Sequence, residues 1–115
     1  MYKFSYDEII EESGNAARAA ERQAMLYSLT LLRKSQVSGA TQSEKCEALA
    51  FVNSLWSFLL EDLAKRENVL PGELRASLIS IGFWMLRESD AIGSGDSNNV
   101  KGLIEVTEMI AEGLQ

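Results

Sequence analysis

The side chains able to do chemistry are few, and each lacks the neighbour it would need. The chain has no histidine, which removes the commonest general base and the commonest transition-metal ligand. Its single cysteine, Cys46, can neither close an intramolecular disulfide nor build a structural zinc site. Placed early in a helix near an apolar sector, Cys46 reads as an inert packed residue, with a redox-sensitive thiol as the other option. The carboxylates Glu11 and Glu12, and likewise Glu61 and Asp62, are sequence neighbours, and neighbours on a helix diverge by about 100°. They read as solvated surface charge. A helical di-metal carboxylate site would want Glu-x-x-His pairs, and none can exist here. Serines are plentiful, but none has a histidine to activate it. The expectation is a protein that is not an enzyme, with no catalytic residue, no metal and no cofactor, whose work lies in surfaces.

A chain of 115 residues, 46% hydrophobic and with a single proline, is expected to form one domain over 1–115 around one hydrophobic core. Its net charge of −6 would repel a phosphate backbone, so no direct nucleic-acid contact is expected. The same charge suits keeping a poorly soluble partner in solution. The opening MYKFSYDEII places Asp7 and Glu8 where a signal peptide needs an apolar stretch, and a lone cysteine suits a reducing compartment, so a cytoplasmic protein is expected. The apolar stretches Phe51 to Leu60 and Leu78 to Leu86 fall short of the roughly 20 residues of a membrane span.

What positions any surface is a set of helices; no segment alternates as a strand would. The organising stretch is Leu70 to Leu86, LPGELRASLISIGFWML. Pro71 suits the first position of a helix. Leu74, Leu78, Ile81 and Met85 make one apolar stripe, and Ala76, Ile79, Phe83 and Leu86 a second roughly opposite. Such a helix needs neighbours on both sides, and Gly82, lying between the stripes, would admit another chain segment closely. The predicted fold is all-α, a small bundle of four to five helices with a central helix at about 71–91.

Around it, Ser5 and Glu8 have capping-box spacing for a short helix from Tyr6 to about Ser13 with Ile9 and Ile10 inward; Gly14 and Asn15 look like a break. A second helix from Ala16 to about Gln36 carries Met25, Leu29 and Leu32 on one face. After a turn at Ser38-Gly39-Ala40, Thr41 and Glu44 form another capping box. The helix that follows runs to about Arg66, with Leu49, Val52, Trp56, Leu59, Leu60 and Leu63 inward. Asn53 falls inside that apolar sector, where it would need a hydrogen-bond partner on a neighbouring helix or turn. Gly93-Ser94-Gly95 is a connection, lacking the Lys-Ser or Lys-Thr of a phosphate loop. The last helix, from about Ser97 to Glu112, sets Val100, Leu103, Ile104, Thr107, Ile110 and Leu114 against Lys101, Glu105, Glu108 and Glu112. Gly113 suits a helix end.

Two sets of apolar residues exceed what one core needs. Phe51, Leu55 and Phe58 form an extra stripe at offsets of four and three, and Trp84 lies outside both stripes of its helix. These four are the candidate partner-binding residues, a groove for an amphipathic helix. Asn53, Trp56, Pro71 and Gly82 are assigned structural roles.

The ordered set Met1-Tyr2-Lys3-Phe4-Ser5-Tyr6, Asn53-Ser54-Leu55-Trp56, Leu70-Pro71-Gly72-Glu73-Leu74-Arg75, Leu78, Ile81-Gly82 and Ile110-Ala111-Glu112-Gly113-Leu114 resembles the FlaF family, flagellar biosynthesis regulators of alphaproteobacteria. Many relatives carry basic residues just before the tryptophan, where this chain has Asn53 and Ser54. The resemblance implies a cytoplasmic, non-enzymatic factor for flagellin production and filament assembly. It implies flagellin as a partner, through terminal helices that are poorly ordered before assembly, and FlbT, a regulator of flagellin mRNA translation, as a second. A factor acting mainly through FlbT, with flagellin contact secondary, is the alternative.

Overall fold

A computed structural model describes the backbone of residues 6–65 and 70–113, and the side chains of 19–65 and 70–113. The Ser5–Glu8 capping box, the inward direction of Ile9 and Ile10, the linker at 66–69 and Leu114 lie outside the described residues.

Four helices follow in order: α1 (Tyr6–Ser35), α2 (Gln42–Ala64), α3 (Gly72–Ser94) and α4 (Val100–Gly113). The break expected at Gly14 and Asn15 is absent, and α1 runs unbroken for 30 residues. One glycine costs only about 1 kcal/mol against alanine in a helix interior, and the alanines at 16, 17, 19 and 20 are the best helix formers there are.

The helices form a ring. α1 packs on α2 and α4, and α3 packs on α2 and α4, while α1 and α3 do not meet. Thus α3 has the two neighbours its two stripes call for, but it is one side of a ring and not its hub. α2 runs antiparallel to both α1 and α3, as the cross-ties show: Lys34 with Glu44 and Tyr27 with Phe51 between α1 and α2, then Ser89 with Leu49 and Arg75 with Leu63 between α3 and α2.

The turns are set by specific residues. Gly39 adopts φ 87°, a left-handed conformation without cost to glycine. Thr41 then caps α2: its Oγ1 accepts from the Glu44 amide at 3.1 Å, and its own amide donates to Glu44 Oε1 at 3.0 Å. Pro71 sits one residue earlier than expected, at the N-cap with ψ 144°, and its carbonyl accepts the first helical bond from Arg75 at 2.9 Å. Gly95, at φ 88°, ends α3. Asn99 caps α4 by accepting from the Gly102 amide at 3.1 Å, so that helix starts three residues after the predicted Ser97. Gly113 closes α4 without a left-handed turn.

The core joins Met25, Leu31 and Leu32 of α1, Ala48, Val52, Leu55 and Trp56 of α2, Met85 of α3, and Val100, Leu103 and Ala111 of α4. Four hydroxyls are buried: Ser28 donates to Met25 O, Ser35 to Leu32 O and Thr107 to Leu103 O within their own helices, and Ser89 of α3 donates to Leu49 O of α2. Gly82 is pressed from α2 by side chains, since a Cβ there would lie 2.7 Å from Leu60 Cδ2 and 3.0 Å from Trp56 Cε3. Close approach is what this position requires.

Candidate functional site: an aromatic seam and a charged groove

The stripe Phe51, Leu55, Phe58 divides three ways. Leu55 is only 9% exposed and belongs to the core. This corrects its assignment as a contact residue: its side chain is taken up by the bundle's own core. Phe51 is half-buried against the core, and its ring meets Tyr27 of α1 edge-on with centroids 4.9 Å apart. Phe58, about two turns further along α2, is 63% exposed. Tyr27 is itself 50% exposed, so the α1–α2 seam presents three aromatic side chains in a row, two of them open to water. The sequence signal for Tyr27 was its position off the Met25-Leu29-Leu32 face, which singled out no role until α2 came to lie beside it.

Trp84 is not part of that seam. It sits on α3, partly buried and packed against the core cluster. Trp56 is buried to 1% exposure, as its structural role requires. Asn53 is exposed, not buried as expected, and its Nδ2 donates to Asp90 Oδ1 of α3 at 3.4 Å. The predicted bridge to a neighbouring helix is present; the burial is not, because α3 approaches Trp56 and Leu60 on the adjacent side of α2. Cys46 is likewise exposed, correcting its placement near the apolar sector, with the Gln42 amide 3.7 Å from its sulfur.

A second surface feature lies between α1 and α4, a groove of about 220 Å³ with Arg22, Leu26, Leu29 and Arg33 on one wall and Glu108, Ala111 and Glu112 on the other. Arg33 pairs with Glu108 at 2.6 Å. The Nε of Arg22 is buried without a hydrogen-bond partner among the described residues. The groove sets two guanidinium groups and two carboxylates around an apolar floor of Leu26, Leu29 and Ala111.

Among the described residues no group of three or more Cys, Asp or Glu side chains could hold a metal ion. No helix among them is long and apolar enough to cross a membrane. Glu44 has its carboxyl held below the usual carboxylate range, first by the Thr41 amide, then by the Thr41 hydroxyl and by Lys34.

Fold and surface together define a small all-α ring of four helices with exposed aromatic side chains on its exterior. The family model for the flagellar protein FlaF matches residues 2–114. The chain belongs to the FlaF family, as its resemblance to that family indicated. No curated protein and no solved structure matches the chain.

Proposed function

We propose that this FlaF-family protein binds flagellin in the cytoplasm as a chaperone-like factor, supporting flagellin synthesis, export and filament assembly. The observation that supports this most is the aromatic seam, where Phe58 and Tyr27 stand 63% and 50% exposed beside the half-buried Phe51. Large apolar side chains gathered on a surface favour protein contact, and an amphipathic helix laid along a groove is the commonest way for a helical domain to use them. Flagellin's terminal segments have that character by family expectation. The net charge of −6 would hold a complex of two apolar surfaces in solution.

Isothermal titration against purified flagellin, full length and with its termini removed, tests the reading. Binding is expected to full-length flagellin only, and to fall at least tenfold for Phe58→Asp, an exposed position where folding is unaffected. Equal affinity of the parent and the variant would remove the seam from the interface. Absence of flagellin binding, together with retention of FlbT in pull-downs from cells lacking flagellin, would assign the protein to the translational role instead.

A further inference from the structure

The outward side of α2 carries a second periodic pattern, separate from the stripe that builds the core. Glu47, Phe51, Ser54, Phe58 and Glu61 follow one another at offsets of four, three, four and three, the spacing of a coiled-coil seam. At 100° per residue they fall within a sector about 80° wide, roughly opposite the buried Trp56. Four of the five are exposed, Phe58 to 63%, and Phe51 is half-buried against Tyr27. The flanking helices add aromatic rings on both sides. Tyr27 of α1 stands 50% exposed on one. On the other, Gly82 of α3 faces Trp56 and Leu60, which sets the next residue, Phe83, level with Phe58, and Phe83 is 56% exposed.

The seam has a definite chemistry along its length. At its centre the small Ser54 lies between two phenylalanines, a hole flanked by two knobs. Its ends are carboxylates, each about two turns from Ser54, and neither Glu47 nor Glu61 has an ion-pair partner among the described residues. A second copy of this chain is a poor occupant. Laid antiparallel over Ser54, two α2 helices would set Glu47 of each against Glu61 of the other; laid parallel, each glutamate would meet its own copy. Like charges face each other in both arrangements.

We propose that this outward seam of α2 is the docking site for a partner helix of complementary pattern. At its centre the helix carries a large aliphatic side chain that fills the hole at Ser54. Small apolar residues face Phe51 and Phe58, and a lysine or arginine about two turns to each side faces Glu47 and Glu61. Such a helix is about 15 residues, or about 22 Å, long. The aromatic rings supply contact area, and the terminal carboxylates select the partner and fix its register.

The assignment of a partner to this surface rests on the flagellin reading of the same seam, but its test needs no flagellin. Two designed three-heptad helical peptides are titrated at low salt, one with Lys, Ala, Leu, Ala and Lys in its seam, the other with Glu in place of both Lys. The parent is expected to bind the lysine peptide about tenfold more tightly than the glutamate peptide. Glu47→Gln with Glu61→Gln is expected to erase that preference, and Glu47→Lys with Glu61→Lys to invert it. Glu105→Lys with Glu112→Lys makes the same change in net charge on α4, which is not adjacent to α2 in the ring, and is expected to leave the lysine peptide ahead. An unchanged preference after reversal on α2, an inversion produced equally by reversal on α4, or a parent that binds neither peptide would overturn the proposal. So would a concentration-dependent dimer of the parent that Phe58→Asp abolishes, which would put a second copy on the seam. Flagellin gives separate answers. Flagellin binding lost with Phe58→Asp but unchanged by Glu47→Lys with Glu61→Lys would keep the flagellin reading and overturn the charge selection, whereas a parent that binds the lysine peptide and not flagellin sinks the flagellin reading alone.

Discussion

The two ends of the bundle are built from the same helices and the same kind of sequence, yet α3 is sealed at one and more open at the other. At the sealed end, α3 buries Met85 and Ser89 and packs Ile81, Trp84 and Ile92 on the core. At the open end, the same helix leaves Leu74 nearly half exposed. The local pattern does not change between them, since Leu74, Leu78, Ile81 and Met85 are one continuous stripe. What changes is the neighbour: α4 has 14 residues against the 23 of α3. Burial of a stripe is decided by its neighbours' lengths as well as by its own periodicity.

That contrast makes its largest quantitative claim through truncation. Trp56→Ala, removing a fully buried side chain from the core, is expected to cost about 3–5 kcal/mol of folding free energy. Leu74→Ala is expected to cost about 0.5 kcal/mol, because little apolar area is lost from contact. Urea denaturation of both variants reads the difference. Similar losses would mean that the open end is cored after all, and the comparison would fail. A smaller effect is expected at Gly82, where the ring closes most tightly. Alanine there gains about 1 kcal/mol in helix propensity. Its Cβ, though, would lie 2.7 Å from Leu60 and 3.0 Å from the ring of Trp56. Leu60 can turn aside, but the buried indole cannot, so a net loss of about 1 kcal/mol is expected for Gly82→Ala. A stabilised variant would show that α2 and α3 have room to separate.

The same contrast explains what could be read from the chain before its fold was known. Helix type, the Thr41–Glu44 cap and the tight approach at Gly82 are properties of one segment, and periodicity and spacing display them directly. Which of Phe51, Leu55 and Phe58 would be exposed depends on where α1 crosses α2, and no residue within α2 encodes that. Asn53 illustrates the limit: its angular position lies within the apolar sector, but α3 docks on the neighbouring side, so the amide reaches Asp90 from the surface. The continuity of α1 through Gly14 was hidden for a different reason. A single glycine is a weak breaker, and its cost is spread over a helix of 30 residues. The cap at Asn99 lay within a run of Gly, Ser and Asn residues, any of which could have ended the turn.

The finest test concerns how each end of α2 is fastened. At the open end, Arg75 of α3 donates from Nε to the Leu63 carbonyl, so that terminus is held by a neighbouring helix. At the sealed end the helix is held by its own residues, Thr41 and Glu44, with Lys34 of α1 3.4 Å from the Glu44 carboxylate. Thr41→Ala is expected to cost about 1 kcal/mol at neutral pH, the ordinary loss for an N-cap. It also carries a pH signature that Arg75→Ala lacks. Because the Glu44 carboxyl is lowered from 4.5 in the folded protein, the charged form is the one the fold favours. Its stabilising contribution is complete above the unfolded value and fades as pH falls through the lowered one. The gap in stability between the parent and Thr41→Ala should therefore be constant from pH 7 down to about 5 and narrow on further acidification. A gap that stayed constant down to pH 2 would show that the Thr41 hydroxyl holds the helix end without help from the Glu44 charge.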